Sequence, residues 1–285
     1  MNSNEQSRRR FLQLAGAGAA VSLVGACDSI GQPRRSGASK KADPPLKLGL
    51  ASYTLRKFPL DETLAMTKRV GLKYICFKSM HLELDSTPAH IEETLAKVKE
   101  AGLILYGGGV IYMRNETQVR QAFEYAKAAG MKIIVGVPVP ELLPMVDQLV
   151  KQYDIKVAIH NHGPTDKVYP IPATAYEKIK NLDKRIGLCN DIGHTMRAGV
   201  DPAESVRKYA DRLLDIHFKD VSAANAEGHA VEAGRGVIDL PKLVRTLIDI
   251  KYDGIASFEY EKDSNDPLPG LAESVGYVRG IMATV

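Results

Sequence analysis

The chain has 285 residues, 25% of them charged, and a formal net charge of +4 at pH 7. A charge this close to neutrality gives no strongly basic surface, so we predict no nucleic-acid partner. With 45% hydrophobic residues, the chain is long enough to bury one substantial core.

The first 27 residues have the composition of an export signal. Three arginines at residues 8–10 precede an uncharged apolar run at residues 14–26, which is shorter than the roughly 20 apolar residues that span a bilayer. The stretch at residues 7–13 resembles a twin-arginine signal, and the stretch at residues 24–27 resembles a lipobox. We therefore predict export to the periplasm with a lipid anchor at Cys27; the alternative is an unmodified cysteine in a discarded peptide.

The next segment and the remaining body of the chain are predicted to be a tether and one domain. Residues 28–45 are rich in Gly, Ser, Pro and basic side chains, which predicts a flexible linker. Residues 46–285 suit a single barrel enzyme, since such barrels have about 250 residues. Cys76 and Cys189 lie in apolar runs, so we predict two buried free thiols and no disulfide.

Short apolar or β-branched runs alternate with amphipathic segments, which is typical of βαβ units. Strands are predicted at residues 46–51, 73–78, 103–107, 132–137, 155–160, 186–191, 213–219 and 255–259. Helices are predicted at residues 61–70, 88–101, 116–129, 141–153, 173–182, 202–210, 240–250 and 271–282. Eight repeats without GxGxxG after the first strand favour a parallel eight-stranded (β/α)8 TIM barrel over a doubly wound sheet. The Gly-Gly-Gly run at residues 107–109 is interpreted as a tight bend at a strand end.

Side chains of the metal-binding types end four successive predicted strands, at residues 160–162, 191–194, 217–220 and 259–261. In a TIM barrel these strand ends form the active site. Side chains alternate along a strand, so Glu259 and Glu261 share one face, as do His217 and Lys219. Any one of these groups alone would be a core or rim residue. Four adjacent strands together indicate a site.

From about residue 46 to residue 282 the chain resembles the xylose-isomerase-like sugar isomerase/epimerase superfamily. The motifs that carry the resemblance are Ile-His-Asn-His-Gly at residues 159–163, Asn-Asp-Ile-Gly-His at 190–194, Ile-His-Phe-Lys-Asp at 216–220, Gly-Arg-Gly-Val-Ile-Asp at 234–239, Tyr-Asp-Gly at 252–254 and Ser-Phe-Glu-Tyr-Glu at 257–261. The resemblance implies one divalent metal held at the ends of strands five to eight. Carried over to this sequence, the ligands are His160, Asp191, His217 and Glu259.

The chain departs from the family at the first of these ligands, because His160 stands where the family usually has Glu. Two histidines and two carboxylates suit Mn²⁺, Co²⁺ or Zn²⁺ better than Mg²⁺ or Ca²⁺, which prefer oxygen ligands. We predict Mn²⁺ as the cofactor. His162 is the alternative ligand from strand five, with His160 preferred.

The resemblance implies removal of a proton next to a carbonyl, through an enediolate that the metal stabilises. Epimerases of the family use two Glu, one on each face of the substrate, and this chain keeps only Glu259 unless His160 or Glu261 substitutes. Relatives with a similar fifth strand act on 3-keto-glycosides or the derived enones. The hypotheses are therefore a sugar isomerase or epimerase, a lyase or hydratase for keto-glycosides, and a non-catalytic sugar-binding lipoprotein.

Further residues around the predicted centre are assigned to catalysis and to substrate binding. Lys219 and His194 join Glu259 as predicted catalytic residues, with a solvated rim lysine as the alternative for Lys219. Substrate contacts are predicted for His162, Lys78, His81, Arg235 and Glu261, and a structural role is the preferred alternative for Lys78 and His81.

The predicted export also bears on the substrate and the partners. Phosphorylated sugars are mainly cytoplasmic, so we predict a non-phosphorylated carbohydrate. Many members of the family are dimers or tetramers, and the resemblance therefore implies a homo-oligomer.

Overall fold

The structure is a computed structural model that describes residues 44–285. The predicted export signal, the predicted lipidation site at Cys27 and nearly all of the predicted linker lie outside the described residues. Within residues 44–285, no helix combines the length and the apolar character needed to cross a membrane.

Ten strands are present in the described part of the chain: β1 Lys47–Ala51, β2 Tyr74–Phe77, β3 Ile104–Met113, β4 Ile133–Pro138, β5 Lys156–His160, β6 Ile186–Asp191, β7 Leu213–Phe218, β8 Asp220–Val221, β9 Ala230–Val231 and β10 Ile255–Phe258. Eight of them form a closed barrel in the order β1-β10-β7-β6-β5-β4-β3-β2, and all neighbouring strands are parallel. Strands β8 and β9 form a separate antiparallel pair. The predicted TIM barrel is confirmed.

The helices are α1 Leu60–Arg69, α2 Pro88–Glu100, α3 Glu116–Ala128, α4 Leu143–Tyr153, α5 Pro172–Ile179, α6 Ile192–Arg197, α7 Pro202–Lys208, α8 Leu240–Asp249 and α9 Leu268–Met282. Side-chain caps start several of them: Thr87 accepts a hydrogen bond from the His90 N–H, and Asn115 accepts one from the Gln118 N–H. Each predicted helix has a counterpart, whereas α6 was not predicted. Among residues 44–285, three short 3₁₀ helices lie at Ser52–Leu55, Pro140–Leu142 and Ala210–Arg212.

Helix α8 shows how the outer helices bury one face. Its buried apolar residues Leu240, Leu243, Val244 and Leu247 recur at intervals of three or four. At 3.6 residues per turn this spacing places them along one side of the helix. That side packs into the core, and the amphipathic pattern in the sequence therefore predicted the element correctly.

The glycine run lies inside β3, so the predicted bend at a strand end is wrong. A Cβ atom added at Gly109 would clash with the carbonyl oxygen of Val135 on β4, and the register between the two strands shifts between Gly109 and Ile111. Glycine is needed here because two backbones approach closely. Strand β3 then continues to Met113 and carries Tyr112 past the point where the sequence predicted its end.

A polar network fills part of the barrel interior. Tyr106 donates to the Asp215 carboxylate at 3.1 Å, and its hydroxyl lies 2.6 Å from the Ser257 hydroxyl. Burial raises the pKa of Asp215 to about 7. Cys76 and Cys189 are buried free thiols, as predicted. Asp215 precedes His217 by two residues on β7, so both side chains lie on the same face of the strand. The network therefore lies below His217, on the side nearer the amino ends of the strands.

His81 is enclosed by protein groups, which fits the structural alternative that the sequence left open. The ring Nδ1 lies 2.8 Å from the Ser52 hydroxyl, and Nε2 lies 3.0 Å from the Thr63 hydroxyl and 3.1 Å from the Phe58 carbonyl oxygen. Burial lowers the pKa of His81 from its ordinary value of 6.5. The ring is therefore neutral in the folded chain at neutral pH.

This neutral histidine predicts a loss of stability in acid. Since the unfolded chain takes up the proton near pH 6.5 and the folded chain does so only below that, the free energy of unfolding should fall as the pH drops below 6.5. Replacing His81 by Gln should weaken that pH dependence, measured by urea unfolding on both sides of pH 6.5. His90, exposed on α2, provides the matched control. An unchanged pH profile in His81→Gln would contradict the assignment.

Candidate metal centre at the carboxyl ends of the strands

Four buried side chains converge where β5, β6, β7 and β10 end. His160 and Asp191 are the last residues of β5 and β6, His217 is the penultimate residue of β7, and Glu259 directly follows β10. One ligand atom from each of the four lies within 4.8 Å of the others. The barrel order makes these strands neighbours, so their carboxyl ends bring the four side chains together.

The distances within this cluster are short. His160 Nε2 lies 3.1 Å from His217 Nδ1 and 3.5 Å from Asp191 Oδ2, and His217 Nδ1 lies 3.2 Å from Glu259 Oε2. Each of the four side chains is at most 6% exposed. Burying two carboxylates and two imidazoles is costly unless they are paired or bind an ion.

The cluster fits a divalent cation. His160 Nε2 faces the Asp191 carboxylate at 3.5 Å, and His217 Nδ1 faces the Glu259 carboxylate at 3.2 Å, so the nitrogen and oxygen atoms of the four side chains face one another in a buried space. Two imidazoles with two carboxylates form a mixed nitrogen and oxygen donor set of the kind that binds first-row divalent metals. His160, Asp191, His217 and Glu259 are therefore the residues that would hold a metal.

The protonation states of the cluster also suit a cation. Burial lowers the pKa of His160 to about 4, so this ring is neutral at neutral pH. Burial raises the pKa of Glu259, but the charges of Lys219 and His217 outweigh it and hold that pKa well below the ordinary range. Burial alone would lower the pKa of His217, but the negative charge of Glu259 has the larger effect and raises that pKa above its ordinary value. A neutral imidazole and an ionised carboxylate are the forms that bind metals, so His160 and Glu259 are ready for a cation, whereas a cation at His217 would compete with the proton that Glu259 favours on that ring.

Lys219 lies inside the cluster and is not a solvated rim residue. Its Nζ atom is 3.0 Å from Asp191 Oδ2, 2.9 Å from Glu259 Oε2 and 3.1 Å from Glu261 Oε1, and its side chain is 2% exposed. Burial lowers the pKa of Lys219, but the carboxylates outweigh it and raise the pKa well above its usual value. A Cβ at Gly193 would lie 2.8 Å from Lys219 Cγ, which explains the glycine in the Asn-Asp-Ile-Gly-His motif.

Helix α6 begins at Ile192, directly after Asp191, and positions His194. The Asp191 carboxylate accepts a hydrogen bond from the His194 N–H at 2.8 Å and so caps the helix. The His194 ring is 13% exposed, its Nε2 lies 4.0 Å from Asp191 Oδ2, and burial lowers its pKa to about 4. The spacing of three residues between Asp191 and His194 is the sequence signal that could have predicted this cap.

Tyr112 is a site residue that the sequence analysis missed. Its hydroxyl lies 3.1 Å from His162 Nε2, and the two rings stack at 5.6 Å. The His162 ring also lies 4.4 Å from the His160 ring. Since Tyr112 engages His162 while His160 lies in the four-residue cluster, the geometry favours His160 as the ligand from β5. No signal pointed to Tyr112, because the predicted third strand ended at residue 107.

The remaining predicted substrate contacts lie in different surroundings. Lys78 donates to the Val110 carbonyl oxygen, and burial lowers the pKa of Lys78. Glu261 is 32% exposed and reaches the cluster through Lys219. Arg235 is exposed and paired with Glu273 on α9, at 2.5 and 2.7 Å. The structure therefore does not bring Arg235 to the cluster, because its guanidinium is held by another carboxylate.

Asp220 accounts for the glycine-rich motif around Arg235. Its carboxylate accepts hydrogen bonds from the N–H groups of Gly234, Gly236 and Ile238, at 2.9, 3.0 and 3.3 Å. These contacts tie the loop after β9 to β8. The motif thus has a structural role beside the cluster.

Comparisons with known proteins agree with this architecture. A family described as "Xylose isomerase-like TIM barrel" matches residues 50–281. Inosose dehydratase from Geobacillus kaustophilus is 29% identical over an alignment that covers 46% of this chain and 46% of the relative. The chain spans about half the length of the curated relatives it matches.

Two solved structures illustrate the shared fold. The IOLI protein with a bound zinc atom is 18% identical, with a TM-score of 0.69, and the match covers 84% of this chain and 99% of that one. The 3-keto-D-glucoside 4-epimerase from E. coli is 18% identical, with a TM-score of 0.66, and the match covers 82% of this chain and 99% of that one. At this identity the likeness is one of fold.

Proposed function

The chain belongs to the xylose isomerase-like TIM barrel family, and on that premise we propose that it is a metal-dependent enzyme removing a proton next to a ketone in a non-phosphorylated sugar or polyol. Named relatives are enzymes: a dehydratase and an epimerase. Both names refer to cyclic substrates that carry a ketone. The observation that carries the proposal is the buried donor set of His160, Asp191, His217 and Glu259.

The proposed cofactor is one divalent metal ion, with Mn²⁺ preferred over Co²⁺ and Zn²⁺. A bound divalent cation supplies electrostatic stabilisation of the negative charge that develops on the substrate oxygen when the neighbouring proton leaves. The mixed nitrogen and oxygen donors support this choice over Mg²⁺ or Ca²⁺. The zinc in the IOLI protein supports a divalent ion in this fold.

Glu259 is the proposed base. Its carboxylate is ionised and lies 2.9 Å from the Lys219 ammonium group, which orients it and can donate to a substrate oxygen. His194 and His162 flank the cluster and are proposed to contact the substrate. In this arrangement an acid and a base stand side by side at the end of the barrel.

The side-by-side pair favours elimination. Epimerisation by proton exchange needs a base on each face of the substrate, and the position on β5 that would supply the second one holds His160, a neutral ring 3.5 Å from Asp191. In an elimination, Glu259 takes the proton, the C–H electron pair forms the new double bond, and the hydroxyl or alkoxyl group leaves with a proton from Lys219. We therefore propose a lyase or hydratase for keto-glycosides or related keto-polyols.

Isomerisation or epimerisation is the second candidate, and Glu261 is the observation that favours it. Its carboxylate lies 3.1 Å from Lys219 Nζ and is a second carboxylate beside the cluster, and burial raises the pKa of Glu261, which makes it a stronger base. The relative named 3-keto-D-glucoside 4-epimerase supports the same reading.

A neutral substrate is supported by the charges at the site. Lys219 is compensated by three carboxylates and Arg235 by Glu273. Neither cation therefore has a positive charge in excess of its carboxylate neighbours that would balance the two negative charges of a phosphate group.

One assay separates the two candidates. The purified protein loaded with Mn²⁺ is incubated with a 3-keto-glucoside and with a keto-inositol in deuterated water, and the products are followed by NMR and mass spectrometry. Release of the aglycone or of water supports the lyase. Deuterium incorporation into a product of unchanged formula supports the epimerase. If the metal binds and neither reaction occurs, the proposal fails and a non-catalytic sugar-binding role replaces it.

Export through the twin-arginine pathway to the periplasm remains a proposal with its own test. Replacing Arg8 and Arg9 by Lys should retain the protein in the cytoplasm, because that pathway reads the arginine pair. Cell fractionation with immunodetection measures the distribution. The same fractions from a Cys27→Ala variant test the lipid anchor, which should move from the membrane to the soluble periplasm. Unchanged distribution in the arginine variant would contradict this route.

A further inference from the structure

Cys189 lies against the same two histidines that form half of the proposed metal centre. It is on β6, paired in register with His160 on β5, and it is fully buried. One ligand atom each from His160, Cys189 and His217 lies within 4.8 Å of the other two. The two rings thus belong to two donor groups, one completed by carboxylates and one completed by a thiol.

We propose that His160, Cys189 and His217 form a second metal position, which takes a thiophilic divalent cation such as Cd²⁺ or Co²⁺ with sulfur as a ligand. The inference rests on the proposed metal-binding function of the cluster, because both positions use the same histidines. His160 Nδ1 and His217 Nε2 are buried without a hydrogen-bond partner. Each ring therefore has a nitrogen that hydrogen-bonds to no protein group and that is free to bind a metal.

The two positions differ in their ligand atoms, because one offers hard carboxylate oxygens and the other a soft sulfur. Carboxylate oxygens suit hard ions such as Mn²⁺, and thiolate sulfur suits Cd²⁺, Zn²⁺ and Co²⁺. On binding, the metal takes the place of the thiol proton, which is released to solvent. Cys189 and Asp191 are two residues apart on one face of β6, so the sulfur lies a step deeper in the barrel than the carboxylate.

The two positions exclude each other. Both positions use the same two rings, His160 and His217. A neutral imidazole has one nitrogen with a free lone pair and one N–H, so each ring binds one ion at a time. A thiophilic cation held by Cys189 therefore displaces Mn²⁺ from the carboxylates. Soft metals should act as competitive inhibitors of metal activation, and the thiol would set the metal selectivity of the enzyme.

Spectroscopy with Co²⁺ and Cd²⁺ alone tests this position. Apo protein is titrated with each ion, and the sulfur-to-metal charge-transfer absorption in the ultraviolet is recorded along with the visible Co²⁺ bands. We expect the charge-transfer band in the wild type and in Cys76→Ser, because Cys76 is equally buried but belongs to neither candidate metal group in the described residues. In Cys189→Ser the band should be absent and the Cd²⁺ affinity lower by about tenfold or more, while the Mn²⁺ affinity changes little.

The outcomes separate the two proposals. Stoichiometric Co²⁺ binding without a charge-transfer band in the wild type overturns the sulfur ligand and leaves the proposed function intact. No binding of any divalent ion overturns both. If Cys189→Ser does not fold, Cys189→Ala is measured in its place, since it keeps a small side chain without a buried hydroxyl. A charge-transfer band that survives loss of the Cys189 sulfur also overturns the inference.

Discussion

Replacing Glu259 by Gln should lower turnover by about 10²- to 10⁴-fold, the usual contribution of a positioned acid or base. The amide keeps the size and one oxygen of the side chain, but it cannot accept the substrate proton. It also removes the negative charge that faces His217 at 3.2 Å and Lys219 at 2.9 Å. Turnover is measured as product formation and, separately, as exchange of the substrate proton with deuterated water.

Two other glutamates serve as controls for this variant. Glu232 is also buried, but it accepts hydrogen bonds from Tyr260 and Lys262 outside the cluster, and Glu232→Gln should retain turnover. Glu261→Gln distinguishes the candidate reactions, since it should abolish formation of the epimer, which needs both bases, and spare much of an elimination. Full activity in Glu259→Gln would remove this residue from the role of base.

Replacing Asp191 by Ala should reduce the affinity for divalent metal by about 100-fold or more, beyond the 10- to 100-fold typical of losing an outer partner of a ligand. In the wild type, metal at about 100 times its Kd should add about 2.7 kcal/mol to the free energy of unfolding. That increment should disappear in the variant. Calorimetric titration with Mn²⁺ and thermal unfolding with and without a chelator measure both effects.

The Asp191 side chain also caps α6, so the two roles need separate controls. Asp201 caps α7 through the N–H groups of Ala203 and Glu204 and lies outside the cluster. Asp201→Ala should cost about 1 kcal/mol of stability, as a lost cap does, and leave metal binding unchanged. Asp191→Asn keeps an oxygen that can cap the helix and removes the charge. Equal stabilisation by metal in Asp191→Ala and in the wild type would exclude Asp191 as a ligand.

The fold was predictable because its signals are local. Each barrel strand is a short apolar run, and each outer helix repeats its apolar residues along one side, as Leu243 and Leu247 do on α8. Helix α6 escaped detection because six residues are too few to show such a period, and its sequence includes Gly193. The short pair β8 and β9 has the same limitation, with two residues in each strand.

The metal cluster was predictable for a different reason. Neighbouring strands end at the same edge of the barrel, so residues such as Asp191 and His217 could be placed together without knowing any side-chain contact. The burial of the Lys219 side chain could not be predicted. The carboxylates that it contacts lie on β6 and in the segment after β10. The pairing of Arg235 with Glu273 could not be predicted, because Glu273 lies 38 residues away on α9. Tyr112 was missed because β3 extends to Met113, beyond the strand end predicted at residue 107.

The position of Lys219 has a consequence for how the protein matures. One ammonium group stands within 3.1 Å of three carboxylates, so the chain itself cancels much of the repulsion that would otherwise oppose closing the barrel there. Such a polypeptide can reach its compact state before any ion arrives. Metal binding then follows folding and is a separate step. It can take place on either side of the membrane that the protein is predicted to cross.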